Sequence, residues 1–170
     1  MAKKIIAVAG LPGSGKTTVA KIIEGVGYAY YNLGDVVREE ASRAGLPPDR
    51  VAVTLRLEMG KRAVAMRLLD RVGGDRVVVD GVRSVEEIEA IEEVLGEAVL
   101  IYVVASRKTR YLRLVERKRA DDPVTYGHFL IRDLRELRFG LADLLARADY
   151  ILVNENKTVK DIEREISILL

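Results

Sequence analysis

The stretch KKIIAVAGLPGSGKTTVAKII, residues 3–23, decides how the rest of the chain is read. A short apolar run, Ile5 to Ala9, leads into a glycine-rich loop, then a lysine, two threonines and a helix-like pattern. The spacing Gly10-x-x-x-x-Gly15-Lys16-Thr17 fits a loop that wraps a polyphosphate with its backbone N–H groups. Glycines at 10, 13 and 15 permit the dihedrals this needs and leave room for phosphate oxygens. A helix starting beside Lys16 adds free N–H groups and the positive end of its dipole. Lys16 is expected on the β- and γ-phosphates, and the Thr17 hydroxyl on Mg²⁺. The expected ATP-binding set is Gly10, Leu11, Pro12, Gly13, Ser14, Gly15, Lys16, Thr17 and Thr18.

The surrounding chain suits that chemistry. Its 170 residues match one domain, and 49% apolar content supplies a packed core. A net charge of +2 carries no long-range field of the kind that marks a dedicated nucleic-acid binder. With no cysteine, disulfides and thiolate metal sites are excluded. The single His128 cannot build a histidine metal site or a serine-protease triad. The first apolar run is too short for a signal peptide, and no run reaches membrane length, so a cytoplasmic enzyme is expected.

Short β-branched runs alternate with helical patterns. Strands are predicted at 5–9, 28–31, 76–80, 99–104 and 150–153, and helices at 16–24, 35–44, 49–71, 85–95, 108–120, 124–147 and 159–169. The runs IIAVA, RVVVD and AVLIYVV are apolar on both alternating faces, as buried parallel strands are. The expected fold is α/β, an open parallel sheet covered by helices. Pro47 and Pro48 should stop one helix, with Asp49 capping the next.

Three further segments carry candidate chemistry. In VVVDGVRSVEE (77–87), Asp80 ends a buried strand at the carboxyl edge of the sheet, where α/β ligands bind. Ser84 and Glu87 have capping-box spacing, which leaves Asp80 free to hold Mg²⁺ through water or to accept an acceptor's proton, and Arg83 free to fork onto an acceptor phosphate. In NLGDVVRE (32–39), Asp35 and Arg38 open a helix facing the same edge. In SRKTRYLRLVERKRADDP (106–123), seven basic residues and one acid lie between Arg107 and Arg119. Arginines there can stabilise a moving phosphoryl group, and Arg113, Arg117 and Arg119 are the candidates. LIRDLREL (130–137) is charge-balanced and reads as a solvent face, with Arg132 the exception. Tyr111, Tyr126 and His128 read as packing or surface residues.

With these pieces together, the chain resembles the nucleoside monophosphate kinase group of P-loop proteins. GDVVR (34–38) is similar to that group's acceptor-site segment, and DGVR (80–83) to its Asp-Gly-Phe-Pro-Arg, shortened by one residue. RLVER (113–117) is similar to its lid arginines, and RADD (119–122) with Arg132 to the Arg-x-Asp-Asp and later arginine beyond its lid. ADYILVNE (148–155) is similar to the final strand and adenine-side loop of adenylate and dephospho-CoA kinases. More closely, the set resembles an archaeal family of adenylate-kinase-like and dephospho-CoA-kinase-like proteins.

The resemblance implies a three-layer fold with strand order 2-3-1-4-5 and an adenine base near Asn154. It implies one kinase domain over 1–170, with acceptor-binding helices at about 33–71 and a short lid at about 107–123. Leu33 stands where adenylate kinases carry threonine, and Glu87 lies nearest their base-reading glutamine, which turns the expectation away from AMP. The expected activity is transfer of the ATP γ-phosphate to a nucleotide-like acceptor, such as a nucleoside monophosphate or dephospho-CoA. The expected roles are Lys16, Asp80, Arg113, Arg117, Arg119 and Arg132 in catalysis, Asp35, Arg38 and Arg83 on the acceptor, and Thr17 and Asp80 on Mg²⁺. A regulatory or RNA-linked P-loop ATPase is the alternative; nucleic acid and membrane are not the expected partners.

Overall fold

The computed structural model of the chain describes residues 3–119 and 121–170. Five parallel strands form one sheet in the order β2-β3-β1-β4-β5. They are β1 (Lys4–Ala9), β2 (Ala29–Asn32), β3 (Arg76–Val82), β4 (Ala98–Val104) and β5 (Tyr150–Val153). Side-chain alternation along each buried strand supplies both helical layers. Ile5, Ala7 and Ala9 of β1, with Val77, Val79, Leu100 and Tyr102, form one core. That core packs on α2 (Leu33–Ala44), α3 (Pro48–Met59), α4 (Ala63–Leu69), α5 (Val85–Leu95) and α8 (Ala142–Arg147). Ile6, Val8, Val78, Ile101 and Val103 face the other way, toward α1 (Lys16–Gly25) and α9 (Val159–Leu169). The remaining helices, α6 (Arg107–Arg117) and α7 (Tyr126–Glu136), lie beyond the carboxyl end of β4.

Several boundaries differ from the sequence expectation. The helix predicted over 49–71 is two helices, because Gly60 takes φ 86°, ψ 165° between α3 and α4. The helix predicted over 124–147 is interrupted by a π-turn at Leu137–Leu141, in which Gly140 has φ 113°. Gly140 lies so close to Ser84 that a Cβ there would sit 3.3 Å from the serine's. Helix α6 ends at Arg117 with Lys118 left-handed, and Ala120, at the end of the helix predicted over 108–120, lies outside the described residues. Pro47, not Asp49, takes the cap position of α3; Pro48 fixes the first turn and Asp49 comes after it.

The capping box expected at Ser84 is half made. Ser84 Oγ accepts from the Glu87 amide at 3.2 Å, but the Glu87 carboxylate reaches Arg83 N at 2.7 Å instead of Ser84 N. Its other oxygen accepts from Arg56 Nη2 at 2.6 Å in the interior, and that buried pairing draws it away from the cap. The pair ties α3 to α5, and removing one partner strands a charge in low dielectric. Glu87→Ala is therefore expected to lower stability by about 3–5 kcal/mol in urea unfolding. Leu57→Ala on α3, at an exposed position, should stay within about 0.5 kcal/mol of wild type.

Candidate active site

The loop between β1 and α1 lies at the carboxyl end of the central strand. Ser14 N donates to Leu11 O at 3.1 Å, closing its turn. What fixes the loop is the fate of its carbonyls. Arg110 Nη1 donates to Pro12 O at 3.3 Å, and Arg113 Nη1 to Gly13 O and Ser14 O at 3.3 and 3.2 Å. Asn154 Nδ2 donates to Ser14 O at 2.8 Å. Three side chains hold the carbonyls of residues 12–14, which keeps those oxygens from competing for the loop's amides; the Ser14 amide is already taken by Leu11 O. The approach is close: a Cβ on Gly13 (φ 80°) would lie 2.6 Å from Arg110 O, and one on Gly15 (φ 97°) would collide with the Asn154 amide.

Arg110 is not singled out by the sequence, where it is one cation among seven. It is buried, and Asp133 of α7 grips it with two bonds of 2.8 and 2.7 Å. The sequence reading of 130–137 as a solvent face is therefore corrected: Asp133 and Glu136 are both buried, Asp133 against the buried Arg110 and Glu136 against the half-buried Arg83. Tyr111 and Tyr126 pack with Phe129 in an aromatic cluster, and His128 is exposed, in keeping with the sequence expectation.

Asp80 is fully buried beside the first turn of α1. Its Oδ2 accepts from Thr17 Oγ1 at 2.7 Å, Asn32 Nδ2 at 2.8 Å and the Tyr30 hydroxyl at 3.0 Å. Its Oδ1 is buried with no hydrogen-bond partner among the described residues. Strand β3 runs past Asp80 to Val82, and its pairing with β1 shifts register between Val8 and Ala9. Asn32 has two tasks: Oδ1 caps α2 by accepting from Gly34 N at 2.7 Å, while Nδ2 holds Asp80. Burial, then the Asp80 charge, pushes the Tyr30 phenol well above its ordinary pKa.

Lys16 stands among the charges of Asp80, Arg83, Glu136 and Arg132. Its side chain is part-exposed and lines a cleft beside the loop. Burial pulls its pKa down from 10.5 to about 8, against the opposing charge of Asp80. Arg83, expected to be free, has its Nε on Glu136 Oε2 at 2.6 Å, while its Nη1 is buried without a partner among the described residues. Burial works against the Arg83 charge, but Glu136, Glu87 and Asp80 outweigh it and raise its pKa. Burial likewise pushes Glu136 up, and Arg83, Arg135, Lys16 and Arg132 together hold it below the ordinary range.

The remaining sequence candidates are placed around this centre. Arg117 and Arg119 line a cleft of about 240 Å³ together with Gly13, Lys16 and Thr18. Arg117 also pairs with Asp122, whose carboxylate accepts from Arg119 N at 2.8 Å. Arg132 holds the backbone of Asp121 at 2.7 Å and the carboxylates of Asp121 and Asp122. Arg38 pairs with Asp35 at 2.5 Å and folds over Gly34, next to Asn32. Asn154, expected beside an adenine, has its side-chain amide turned to the loop instead, and Arg113 also reaches Asn154 O at 3.1 Å. Both act on the loop's shape in this structure.

Among the described residues there is no group of three or more His, Cys, Asp or Glu side chains placed to hold a metal alone. No helix among them is long and apolar enough to cross a membrane.

Comparison with known proteins agrees with this architecture. The AAA domain family matches residues 6–127. A UPF0200 protein of Pyrobaculum aerophilum is 65% identical over 167 residues, covering 98% of this chain and 96% of the relative. A second, from Hyperthermus butylicus, is 45% identical over 174 residues, covering 98% of this chain and 92% of the relative. Among solved structures, shikimate kinase from Acinetobacter baumannii in complex with shikimate superposes with a TM-score of 0.66 at 17% identity, covering 99% of this chain and 93% of that one. A sugar kinase from Janibacter sp. superposes with a TM-score of 0.64 at 17% identity, covering 98% and 94%. At that identity the likeness is one of fold. The chain belongs to the UPF0200 family of archaeal proteins, carries an AAA domain, and has the fold of a P-loop kinase.

Proposed function

We propose that this protein transfers the γ-phosphoryl group of Mg²⁺–ATP to a small, nucleotide-like acceptor, with nucleoside monophosphates and dephospho-CoA as the leading candidates. One observation carries the proposal. Lys16, Thr17, Asp80 and Arg83 converge beside a loop whose carbonyls at residues 12–14 are held by side chains, so ammonium, hydroxyl, carboxylate and guanidinium are gathered at one end of the sheet.

The residues fit Mg²⁺. Thr17 and Asp80 are hard oxygen donors, and the orphaned Asp80 Oδ1 is a buried acceptor suited to a metal-bound water. Mg²⁺ normally takes one or two protein oxygens plus phosphates and waters, consistent with the small protein donor set here. When bound, it would neutralise charge on the β- and γ-phosphates. Tyr30 and Asn32 hold Asp80 in place. Lys16 and the amides of residues 13–18 would bind the donor phosphates.

Arg83, with Arg38 and Asp35 across the cleft, would receive the acceptor. The acceptor oxygen bonds to the γ-phosphorus as the bond to the β–γ bridging oxygen breaks, and ADP leaves. Arg117 and Arg119 line the cleft beside Lys16 and would meet the charge on the transferring group. Arg132 would hold the Asp121–Asp122 segment that orients them, and Arg113 and Asn154 would act as positioning residues through the loop carbonyls. Closure of the 107–123 lid and the helices at 33–71 would exclude water, the competing acceptor.

A coupled ADP-release assay over nucleoside monophosphates, dephospho-CoA, shikimate and simple sugars tests this directly. One anionic acceptor should raise ADP release well above the rate with ATP alone. ADP release that no acceptor changes would point to an ATPase instead. Arg83→Lys keeps a charge for Glu136 but loses the fork. It should cut acceptor-dependent turnover about 10–1,000-fold while leaving ATP affinity near wild type. Loss of ATP affinity equal to that of Lys16→Met would contradict the division into donor and acceptor sides. Asp80→Asn should reduce the gain in ATP-analogue affinity that Mg²⁺ provides by about 10–100-fold, read by calorimetry with and without the metal.

Lys16 also predicts a pH signature. Its folded pKa, about 8, lies below its ordinary 10.5, so the ligand-free fold holds fewer protons than the unfolded chain between those values. Lys16 therefore costs stability below about pH 8, and the cost fades as pH rises toward 10.5. Lys16→Met should raise the melting temperature at pH 7 and give a smaller gain near pH 10, while losing nucleotide binding. A triphosphate favours the charged ammonium, so ATP-analogue binding should take up a proton near pH 9 and none from Lys16 near pH 7. Calorimetry in buffers of different ionisation enthalpy reads that uptake.

A further inference from the structure

A second cavity, of about 720 Å³, is lined by residues of α3 and α7 and of the π-turn that follows α7. Its walls combine two chemistries. Leu57, Ile131 and Leu134 reach it with 80%, 64% and 56% of their surface exposed, and Phe139 joins them. Four cations also line it: Arg56, Lys61, Arg135 and Arg138. No carboxylate among the described residues lines it; Glu86, Glu87, Asp49 and Glu136 pair with three of the cations from behind. Arg138 has no ion-pair or hydrogen-bond partner among the described residues.

Two more observations point to a ligand. Arg56 is more than nine-tenths buried, its guanidinium lies 4.4 Å from the Phe139 ring centre, and its Nε has no partner among the described residues. Arg135 Nε is likewise buried and unmatched. Unmatched buried donors cost free energy until an acceptor arrives. The π-turn at Leu137–Leu141 supplies Arg138 and Phe139 to this wall while Gly140 presses against Ser84, next to Arg83. Such turns inside helices recur at functional sites.

We infer that this cavity binds the phosphoryl acceptor's non-reacting part, and that the acceptor is an anion with a flat or hydrocarbon body and few hydroxyl groups. The inference rests on the phosphotransferase role proposed above. The cationic wall takes the negative group, the leucines and Phe139 take the apolar body, and the volume falls in the range of small-molecule sites. A polyhydroxylated sugar would leave hydroxyls against the apolar walls without hydrogen-bond partners, at a free-energy cost for each.

The probe is anilinonaphthalene sulfonate, a flat apolar anion, titrated by fluorescence into the full chain with a non-hydrolysable ATP analogue saturating the P-loop. Saturable binding at one site per chain is expected. Leu134→Glu and Arg138→Glu, both at exposed positions, should each weaken it about tenfold or more, since each puts a carboxylate where anions bind. Arg138→Lys should restore most of the affinity, and Val124→Glu, exposed but outside the cavity, should match wild type. The inference is overturned if both glutamate variants bind as wild type, or if the ATP analogue alone displaces the dye. It is equally overturned if sedimentation shows the cavity closed by a second copy that Leu134→Glu releases. With any acceptor that supports ADP release, Leu134→Glu should raise the acceptor KM about tenfold with the ATP KM unchanged. Failure of every acceptor in that assay would count against the kinase role alone, because the dye titration still decides the cavity.

Discussion

A loop can offer its amide hydrogens to a triphosphate only if its carbonyl oxygens are held elsewhere. Here that constraint falls on three side chains from distant parts of the sequence. Arg110 takes Pro12 O, Arg113 takes Gly13 O and Ser14 O, and Asn154 also takes Ser14 O. The glycines permit the loop's shape, but the shape is enforced from outside. Substituting Gly13 or Gly15 would bring a side chain against those same braces. The loop, α6 and the end of β5 therefore form one mechanical unit, and helix α6, which carries Arg117, is itself a brace of the loop.

A second unit is electrostatic. Arg110–Asp133 and Arg56–Glu87 are buried pairs and Arg83–Glu136 a part-buried one, and they stitch α6 to α7, α3 to α5, and the end of β3 to α7. Buried pairs are weak sources of net stability but strong constraints on register, because a misaligned partner strands a charge. They also set the field around Lys16. Glu136 and Asp80 favour its charge, Arg83 and Arg132 oppose it, and burial decides the outcome. With a pKa of about 8 the ammonium is mostly charged at pH 7 and loses its proton only as the pH rises through that value.

The local features are legible in the sequence, while the long-range ones are not. The loop spacing 10–17 and the doubly apolar strands are each written within a few consecutive residues, and the sheet is built from them, although β3 runs two residues beyond the Asp80 end that the sequence suggests. Gly60 and Gly140 escape notice as helix breaks because the apolar periodicity continues on both sides of each. Asp133 and Glu136 read as solvent-facing because a charge on an amphipathic helix looks the same whether it meets water or a buried arginine. Their partners stand 23 and 53 positions away, and no local pattern announces them. Asn154 stands out in the sequence, but nothing there announces that its side chain supports the loop's backbone at Ser14. Tyr30 gives no signal at all, since a tyrosine in a predicted strand is ordinary until an aspartate is found opposite it.

The central claim is that outward-tied carbonyls leave a ring of inward amides that grips a triphosphate. A crystal structure of the chain with Mg²⁺ and a non-hydrolysable ATP analogue tests it most directly. The account predicts β- and γ-phosphate oxygens about 3 Å from the amide nitrogens of residues 13–18, with the Arg110, Arg113 and Asn154 bonds to the loop carbonyls intact. A nucleotide bound elsewhere, or a loop whose amides turn away from the phosphates, would contradict it.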